Sequence, residues 1–465
     1  MTPPPMQTLD SRPDERLDAG RLRLLRDRLA TCDAAEAAAL LEALDAPADR
    51  AAAFATLPRE AAADAFEYLP HDAQAALVAD LAGEQERLAD LLNTIDPDDR
   101  TAFFADLPGP AVQRLLTLLS PRERATAVRL LGYPEESVGR LMTTDYVAVR
   151  PDWTAAEALR QVRRYGTDSE TIHVLYVVER GWRLVATVGI RDVLLTDGET
   201  PVRDVMDERV HALAATDDQE AAVAAFRDAD RTSLPVIDES GVLLGIVTVD
   251  DVLDVAEAEA TEDIQKLGGM EALDEPYLQT PFWTLVRKRT GWLVVLFVGE
   301  MLTATAMGFF EAEIARAVVL ALFVPLIISS GGNSGSQAAS LVIRALAVGE
   351  VTVRDAWRLV RRETLTGLVM GTILGAVGAL RITIWALAFG AYGPHWALVA
   401  ATVGISLVGV VLWGTLSGAL LPLAMQRLGF DPAASSAPFV ATLVDVTGLV
   451  IYFTVAAVLL RGTLL

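Results

Sequence analysis

Asp445 lies about a third of the way along an otherwise apolar run, in the segment PFVATLVDVTG (residues 438–448). An ionisable side chain at mid-bilayer costs from about 3 to over 10 kcal/mol, depending on the scale. Such a carboxylate is kept there by a basic partner, for which Arg344 and Arg381 are the candidates, or by a cation. An earlier apolar run contains PLIISSGGNSGSQAASLVIR (residues 325–344). Its Pro and the glycines Gly331, Gly332 and Gly335 weaken a helix, while Asn333, Ser334, Ser336 and Gln337 supply oxygens. Backbone broken at that depth must line water or be buried in protein, and the competing use of such a run is close helix packing through small residues. Glu300, eleven residues beyond the last of the basic cluster Arg287, Lys288 and Arg289, reads as a structural polar contact.

Outside the apolar runs, a charged stretch carries Asp251, Asp254, Glu259, Glu262 and Asp263. Spacings of 3, 5, 3 and 1 return these acids to nearby faces of a helix. Like charges so close destabilise that helix unless it is solvated or something positive lies against it.

The elements that must position these groups follow from length and charge. The chain has 465 residues, too many for one ordinary domain. Residues 281–465 hold 12 basic and 8 acidic residues, which leaves 27 basic and 54 acidic residues before them. A front at −27 has no surface for nucleic-acid phosphates and suits cations. The single Cys32 excludes an intrachain disulfide or a Cys-based zinc cage, and the four His residues show no paired ligand spacing. Residues 1–20 read as a disordered lead without the apolar run of a secretory signal.

From 21 to 135, Pro47, Pro58, Pro70, Pro97, Pro108 and Pro121 punctuate Ala- and Leu-rich segments mostly at intervals of 11 to 13 residues. Short helices starting at those prolines would stack as a superhelical array. Five apolar runs, at 291–310, 317–343, 364–390, 396–424 and 438–460, are long enough to cross a bilayer. Arg287, Lys288, Arg289, Arg344, Arg354, Arg358, Arg361, Arg362 and Arg427 fall at ends belonging to one side. The positive-inside rule makes that side cytoplasmic. The N-terminus is then expected inside and the C-terminus outside a cell (inner) membrane.

Between 136 and 253 one unit occurs twice, over 136–200 and 201–253: strand, helix, two strands, closing helix. The second copy ends in GIVTVDDV (residues 245–252), in which Thr248 can donate to a phosphate and Asp251 can accept from ribose hydroxyls. These repeats resemble a tandem pair of CBS domains, a module that often binds adenine nucleotides. In the first copy Gly189 replaces the hydroxyl residue and Arg191 and Asp192 follow, which weakens the nucleotide contacts expected there.

The order of helical array, CBS pair, acidic connecting helix over 254–280 and membrane domain over 281–465, with GGNSGSQ in the second run and PFVATLVDVTG in the last, resembles the MgtE family of magnesium channels and transporters. The resemblance implies a multidomain fold: an α-helical superhelical N-domain, an α/β tandem CBS pair, a connecting helix and a five-helix all-α transmembrane domain. It further implies a homodimer with its pore on the two-fold axis, an ion site formed by Asp445 of each chain, and a path lined by Asn333 with Gly331, Gly332 and Gln337. Cytosolic Mg2+ sites that hold the pore closed would use Asp218, Glu220, Asp230, Asp251, Asp254, Glu259, Glu262 and Asp263, and in the array Glu60, Asp96 and Asp99. Nucleotide, ATP in this reading, would meet Arg191, Asp192, Thr248 and Asp251.

Two carboxylates across an axis suit a divalent cation that keeps its water shell. No GxxxxGK[ST] loop is present to drive transport by hydrolysis. Two other readings remain open at this point. A transporter for Co2+, Ni2+ or Mn2+ is disfavoured because the membrane half offers only His395 and no Cys. A membrane-anchored nucleotide sensor would make the spans mere anchors.

Overall fold

The computed structural model describes residues 19–44, 46–273 and 276–464, and most of the expected lead (residues 1–18) lies outside them. The chain divides into two compact units at 257/258.

The first unit begins with short helices, each started by the proline or cap its sequence supplies. Pro47, Pro97 and Pro121 occupy first-turn positions, and Pro58, Pro70 and Pro108 precede helices at the cap. A proline there loses no helical hydrogen bond and presets φ. Each helix buries its apolar stripe against the next but one: Ala34–Glu42 on Arg59–Glu67, Pro47–Phe54 on His71–Asp80, Pro97–Ala105 on Pro121–Leu130. Leu41, Phe54, Phe66, Leu77, Leu92 and Phe104 form the resulting core. Arg100 is fully buried there, donating to the carbonyls of Leu92 and Ile95 and to Glu123 at 2.6 Å.

The repeated unit then appears twice. In the first copy β1 (Tyr146–Val149) runs parallel to β2 (Thr171–Val178), which pairs antiparallel with β3 (Leu184–Gly189). The second copy repeats this with β4 (Leu213–Ala214), β5 (Ser233–Ile237) and β6 (Leu243–Thr248). The helices Ala155–Tyr165 and Gln219–Ala229 connect the parallel pairs. The two copies meet where Tyr176 hydrogen-bonds Ser233 at 2.8 Å.

The connecting helix differs from expectation. It runs over Val249–Leu267, starting directly after β6 and ending thirteen residues earlier than 280. Gly268 and Gly269 stop it, the latter at φ +74°, a conformation that glycine takes without penalty.

In the second unit five helical segments are long and apolar enough to cross a membrane: Phe282–Phe309, Val318–Ala347, Val353–Phe389, Trp396–Arg427 and Ala437–Leu459. The first and third begin earlier than the apolar runs because charged and aromatic residues continue the helix beyond them, where long side chains can reach water.

The second segment corrects a further expectation. Its break falls at Leu322–Phe323, before Pro325, while Val324–Ala347 is one unbroken helix through Gly331, Gly332 and Gly335. The carbonyl of Leu320 near the break accepts from the Tyr452 hydroxyl at 2.9 Å. The glycines serve approach rather than breakage. A Cβ on Gly331 would fall 2.5 Å from Val410, and one on Gly418 would fall 2.1 Å from the Gly335 carbonyl, so the second helix lies almost backbone to backbone against the fourth.

Candidate ion pathway and regulatory metal site

Within the second unit, the second and last span helices touch where Gly332 faces Asp445. A Cβ on Gly332 would be 3.4 Å from Asp445 Oδ1 and 3.5 Å from the Ala441 Cβ. Asp445 is half-buried, and among the described residues neither Arg344 nor Arg381 pairs with it. Arg381 instead donates to the Tyr392 hydroxyl at 3.1 Å. One turn from Gly331, Ser334 is buried and donates to the Gly331 carbonyl. Ser329, Asn333 and Gln337, four residues apart in turn, are exposed along one stripe of the same helix, with Asn333 Nδ2 donating to Ser329 Oγ at 3.3 Å. Gly331 is thus a packing residue, Gly332 a neighbour of the carboxylate, and Asn333 and Gln337 the polar groups presented outward. Glu300 is exposed on the first span, next to Gly299, whose position packs on Thr442 of the last.

The first unit gathers acids from four separated stretches. Asp96 stands at the N-cap position of the helix Pro97–Ala105 without a side-chain cap bond, and Asp98 and Asp99 occupy its first turn. Glu67 ends the helix Arg59–Glu67, Glu170 immediately precedes β2, and Asp250, Asp251 and Asp254 lie near the start of the connecting helix. One oxygen each from Glu67, Asp96 and Asp99 fall within 4.8 Å of one another. Oxygens on opposite sides of a Mg2+ ion stand about 4.2 Å apart, so this spacing suits a small hard cation. Asp98 is buried and its Oδ1 has no hydrogen-bond partner.

The electrostatics agree with that geometry. Burial, then the charges of Asp99 and Asp96, push the Glu67 carboxyl up to about 8. Burial and Asp96 do the same to Glu170, also to about 8. Asp251 rises to about 7 and Asp99 to about 6, in each case through burial first and neighbouring carboxylates after. Asp98 is driven well above the usual range by burial and by Asp251. Glu67 and Glu170 in such a state hold protons at neutral pH unless a cation replaces them.

Of the expected regulatory residues, Asp96, Asp99, Asp251 and Asp254 come together, and Glu60, Asp218, Glu220 and Asp230 do not join them. Asp218 caps the helix Gln219–Ala229, accepting from the Glu220 amide, and Asp230 closes that helix in a left-handed conformation. Glu60 is exposed in the first turn of its helix. In the second unit Glu262 and Asp431 already hold a cation of the chain itself: Lys266 Nζ lies 2.5 Å from Glu262 and 2.7 Å from Asp431. Asp263 is half-buried close by, its carboxyl raised by burial and by Asp431. Glu259 is partly exposed on the same helix.

Sequence reasoning missed Glu67, Asp98, Glu170 and Asp250. Asp98 and Asp250 adjoin chosen acids and were legible as part of PDDR and VDDV. Glu67 and Glu170 carry no local signal, because only the tertiary fold brings them in.

The nucleotide residues are also redistributed. Arg191 and Asp192 are exposed in the short helix Ile190–Leu195, and the Thr248 hydroxyl donates to Asp251 at 2.7 Å, inside the acidic cluster. A narrow cationic cleft lies elsewhere, lined by Thr187, Arg209, His211, Arg231 and Ser233. Asp207 holds both guanidiniums, at 3.2 Å from Arg209 and 3.3 Å from Arg231. Ser233 is the cross-strand partner of Thr248, so the cleft and the cluster flank one strand pair.

Residues 324–455 match the MgtE divalent cation transporter family, 32–136 the MgtE intracellular N domain, and 138–197 and 202–258 the CBS domain. The magnesium transporter MgtE of Thermus thermophilus is 39% identical over 458 residues, covering 96% of this chain and 98% of the relative. The chain belongs to the MgtE family. The MgtE magnesium transporter of Bacillus subtilis is 30% identical over 430 residues, with 90% of this chain and 92% of the relative covered. A crystal structure of the cytosolic domain of the Mg2+ channel MgtE in complex with ATP is 38% identical, covering 51% of this chain and 95% of that one, at a TM-score of 0.48. As a member of the MgtE magnesium transporter family with five candidate spans, the protein is a multi-pass membrane protein.

Proposed function

We propose that two copies of the chain form a pore on their two-fold axis and conduct Mg2+ into the cell down its electrochemical gradient. The observation that carries this is the polar stripe of Ser329, Asn333 and Gln337 beside a half-buried Asp445 in helices long and apolar enough to cross a membrane. Against lipid such a stripe would be costly, and against a second copy it encloses water. Two Asp445 carboxylates then face a dication that gives up its hydration shell reluctantly, with amide oxygens touching ion-bound water. An inside-negative potential favours entry by about 4.6 kcal/mol per ion for each 100 mV, so no energy-coupling machinery is needed. The Arg-rich ends of the spans put the N-terminus in the cytoplasm and the C-terminus outside.

The acidic cluster is the cytosolic sensor. Glu67, Asp96, Asp98, Asp99, Glu170, Asp250, Asp251 and Asp254 repel one another without a counterion, and Mg2+ joins the helical array to the start of the connecting helix. That helix continues in sequence toward the first span, which gives the bound ion a route to the pore. Affinity of such a many-membered carboxylate site belongs to the millimolar range of free cellular Mg2+.

The Arg209, His211 and Arg231 cleft is the phosphate-binding part of the nucleotide site in this reading, with ATP as the ligand. Its open volume of about 10 Å3 holds no more than a water. Phosphates enter by taking both guanidiniums from Asp207.

The deciding experiment is Mg2+ uptake into proteoliposomes under an imposed potential, for the wild type and for Asp445→Asn. Uptake that tracks the potential and falls about a hundredfold in the variant supports the pore, since two lost charges remove over about 3 kcal/mol of attraction. Equal uptake in both sinks it. Calorimetry with ATP, repeated on Arg231→Gln, tests the cleft, and no binding at millimolar ATP removes that assignment alone.

A further inference from the structure

At the charged end of the first span, a cavity of about 280 Å3 lies against the turn that stops the connecting helix. Its apolar lining is Met270, Leu273, Leu285 and Leu293, and its cationic group is Arg289. Of the other polar side chains in the lining, Gln265 and Tyr277, Gln265 is committed to the backbone: its Oε1 accepts from the Leu273 amide at 2.6 Å. Lys288 is likewise turned away, buried and donating to the Ala272 carbonyl. Arg289 is exposed and has no ion-pair partner among the described residues, while Glu271 lies against Gly291, two residues further along the helix. Tyr277 of the lining and, in the residues that follow it, Leu278, Phe282 and Trp283 are 64%, 93%, 68% and 77% exposed. Aromatic residues bared just before an apolar span lie at headgroup level in a bilayer. A guanidinium there, above an apolar floor, matches a phosphate whose acyl chains continue down the span.

We propose that this cavity binds an anionic phospholipid, its phosphate on Arg289 and its first acyl carbons on Leu285 and Leu293. The lipid would contact Gly268 and Gly269, so its presence supports the turn between the connecting helix and the first span. The inference needs only that the first span crosses the bilayer and is independent of Mg2+ conduction.

The test is retention of phosphatidylglycerol against phosphatidylcholine by the detergent-purified full chain, read by native mass spectrometry. The wild type should keep phosphatidylglycerol in preference. Arg289→Gln should lower that retention about fivefold, the worth of one basic residue near an anionic surface. Arg287→Gln, an exposed charge two residues earlier and outside the cavity, should leave it unchanged. Leu285→Trp fills the apolar floor without altering charge and should also reduce retention, which keeps the proposal testable if Arg289→Gln does not fold. Equal retention of the two lipids, an equal loss in Arg287→Gln, or no retained lipid because a second copy covers the cavity would overturn it. Binding of soluble glycerol phosphate as tight as that of the lipid would overturn the bilayer source.

Discussion

The two units handle negative charge in opposite ways. In the membrane unit Asp445 has the backbone of Gly332 as its near neighbour and feels one other carboxylate, Glu300 of the first span. In the first unit Glu67, Asp96, Asp98, Asp99, Glu170 and Asp251 are crowded until burial and mutual repulsion lift Glu67 and Glu170 to about 8. Sparse charge at a wide polar site attracts a hydrated dication weakly enough to release it, which suits passage. Crowded charges gain most when an ion stays, which suits sensing. Removing charge should therefore act in opposite directions in the two places.

The largest break of that symmetry comes from paired neutralisation. Asp445→Asn lowers current, whereas Asp99→Asn combined with Asp251→Asn should leave the pore open at cytosolic Mg2+ that closes the wild type. The required Mg2+ should rise about thirtyfold, since each of the two lost carboxylates weakens the site by about a kcal/mol even at high effective dielectric. Patch-clamp open probability against cytosolic Mg2+ reads this directly. A double variant that closes at the wild-type concentration would remove the cluster from gating.

Acidity gives a smaller and more diagnostic effect. Metal-free, the folded cluster binds more protons than the unfolded chain between the ordinary carboxyl range and about 8, because Glu67, Glu170, Asp251 and Asp99 all titrate late. Unfolding free energy therefore falls as pH rises from 6 to 8, by on the order of 1–3 kcal/mol. Saturating Mg2+ should flatten or reverse that slope, because the ion replaces the protons. Melting temperatures of the full chain in chelator and in Mg2+ across this range make the comparison, and identical slopes in the two series would count against a shared metal site.

Much of this architecture was legible because it is local. Proline at a helix start, a strand-helix-strand repeat and a run of apolar residues each leave a periodic trace, and the array, the paired repeats and five long helices appear where those traces lie. The failures are also physical. Three glycines in a soluble helix would signal a break, but between two packed helices they permit backbone approach, so Val324–Ala347 stays whole. Lys266 shows the complementary limit: its pairing with Asp431 links positions far apart in sequence, which no spacing within the connecting helix could reveal. The acidic cluster was half legible for the same reason. Asp96 and Asp99 share a helix start, whereas Glu67 and Glu170 reach it only through the stacking of separate elements.

Asn333→Ala should produce the smallest change and bears most on why sparse charge suffices. The Asn333 amide is exposed one residue beyond Gly332, which faces Asp445, and it is oriented by a 3.3 Å hydrogen bond to Ser329. It carries no net charge, so its loss leaves the attraction for a dication intact and current should fall only about twofold. What it can do is orient ion-bound water, and such a hydrogen bond is worth about 1 kcal/mol. Mg2+ holds its water in a rigid octahedral shell, whereas Ca2+ has a loose and variable one. A fixed amide therefore rewards the rigid shell more, and removing it should erode the preference for Mg2+ over Ca2+ by several-fold while current through the pore persists. Bi-ionic reversal potentials measure that preference independently of current size. If the preference is unchanged while Asp445→Asn still abolishes current, selectivity resides in the carboxylates and backbone alone.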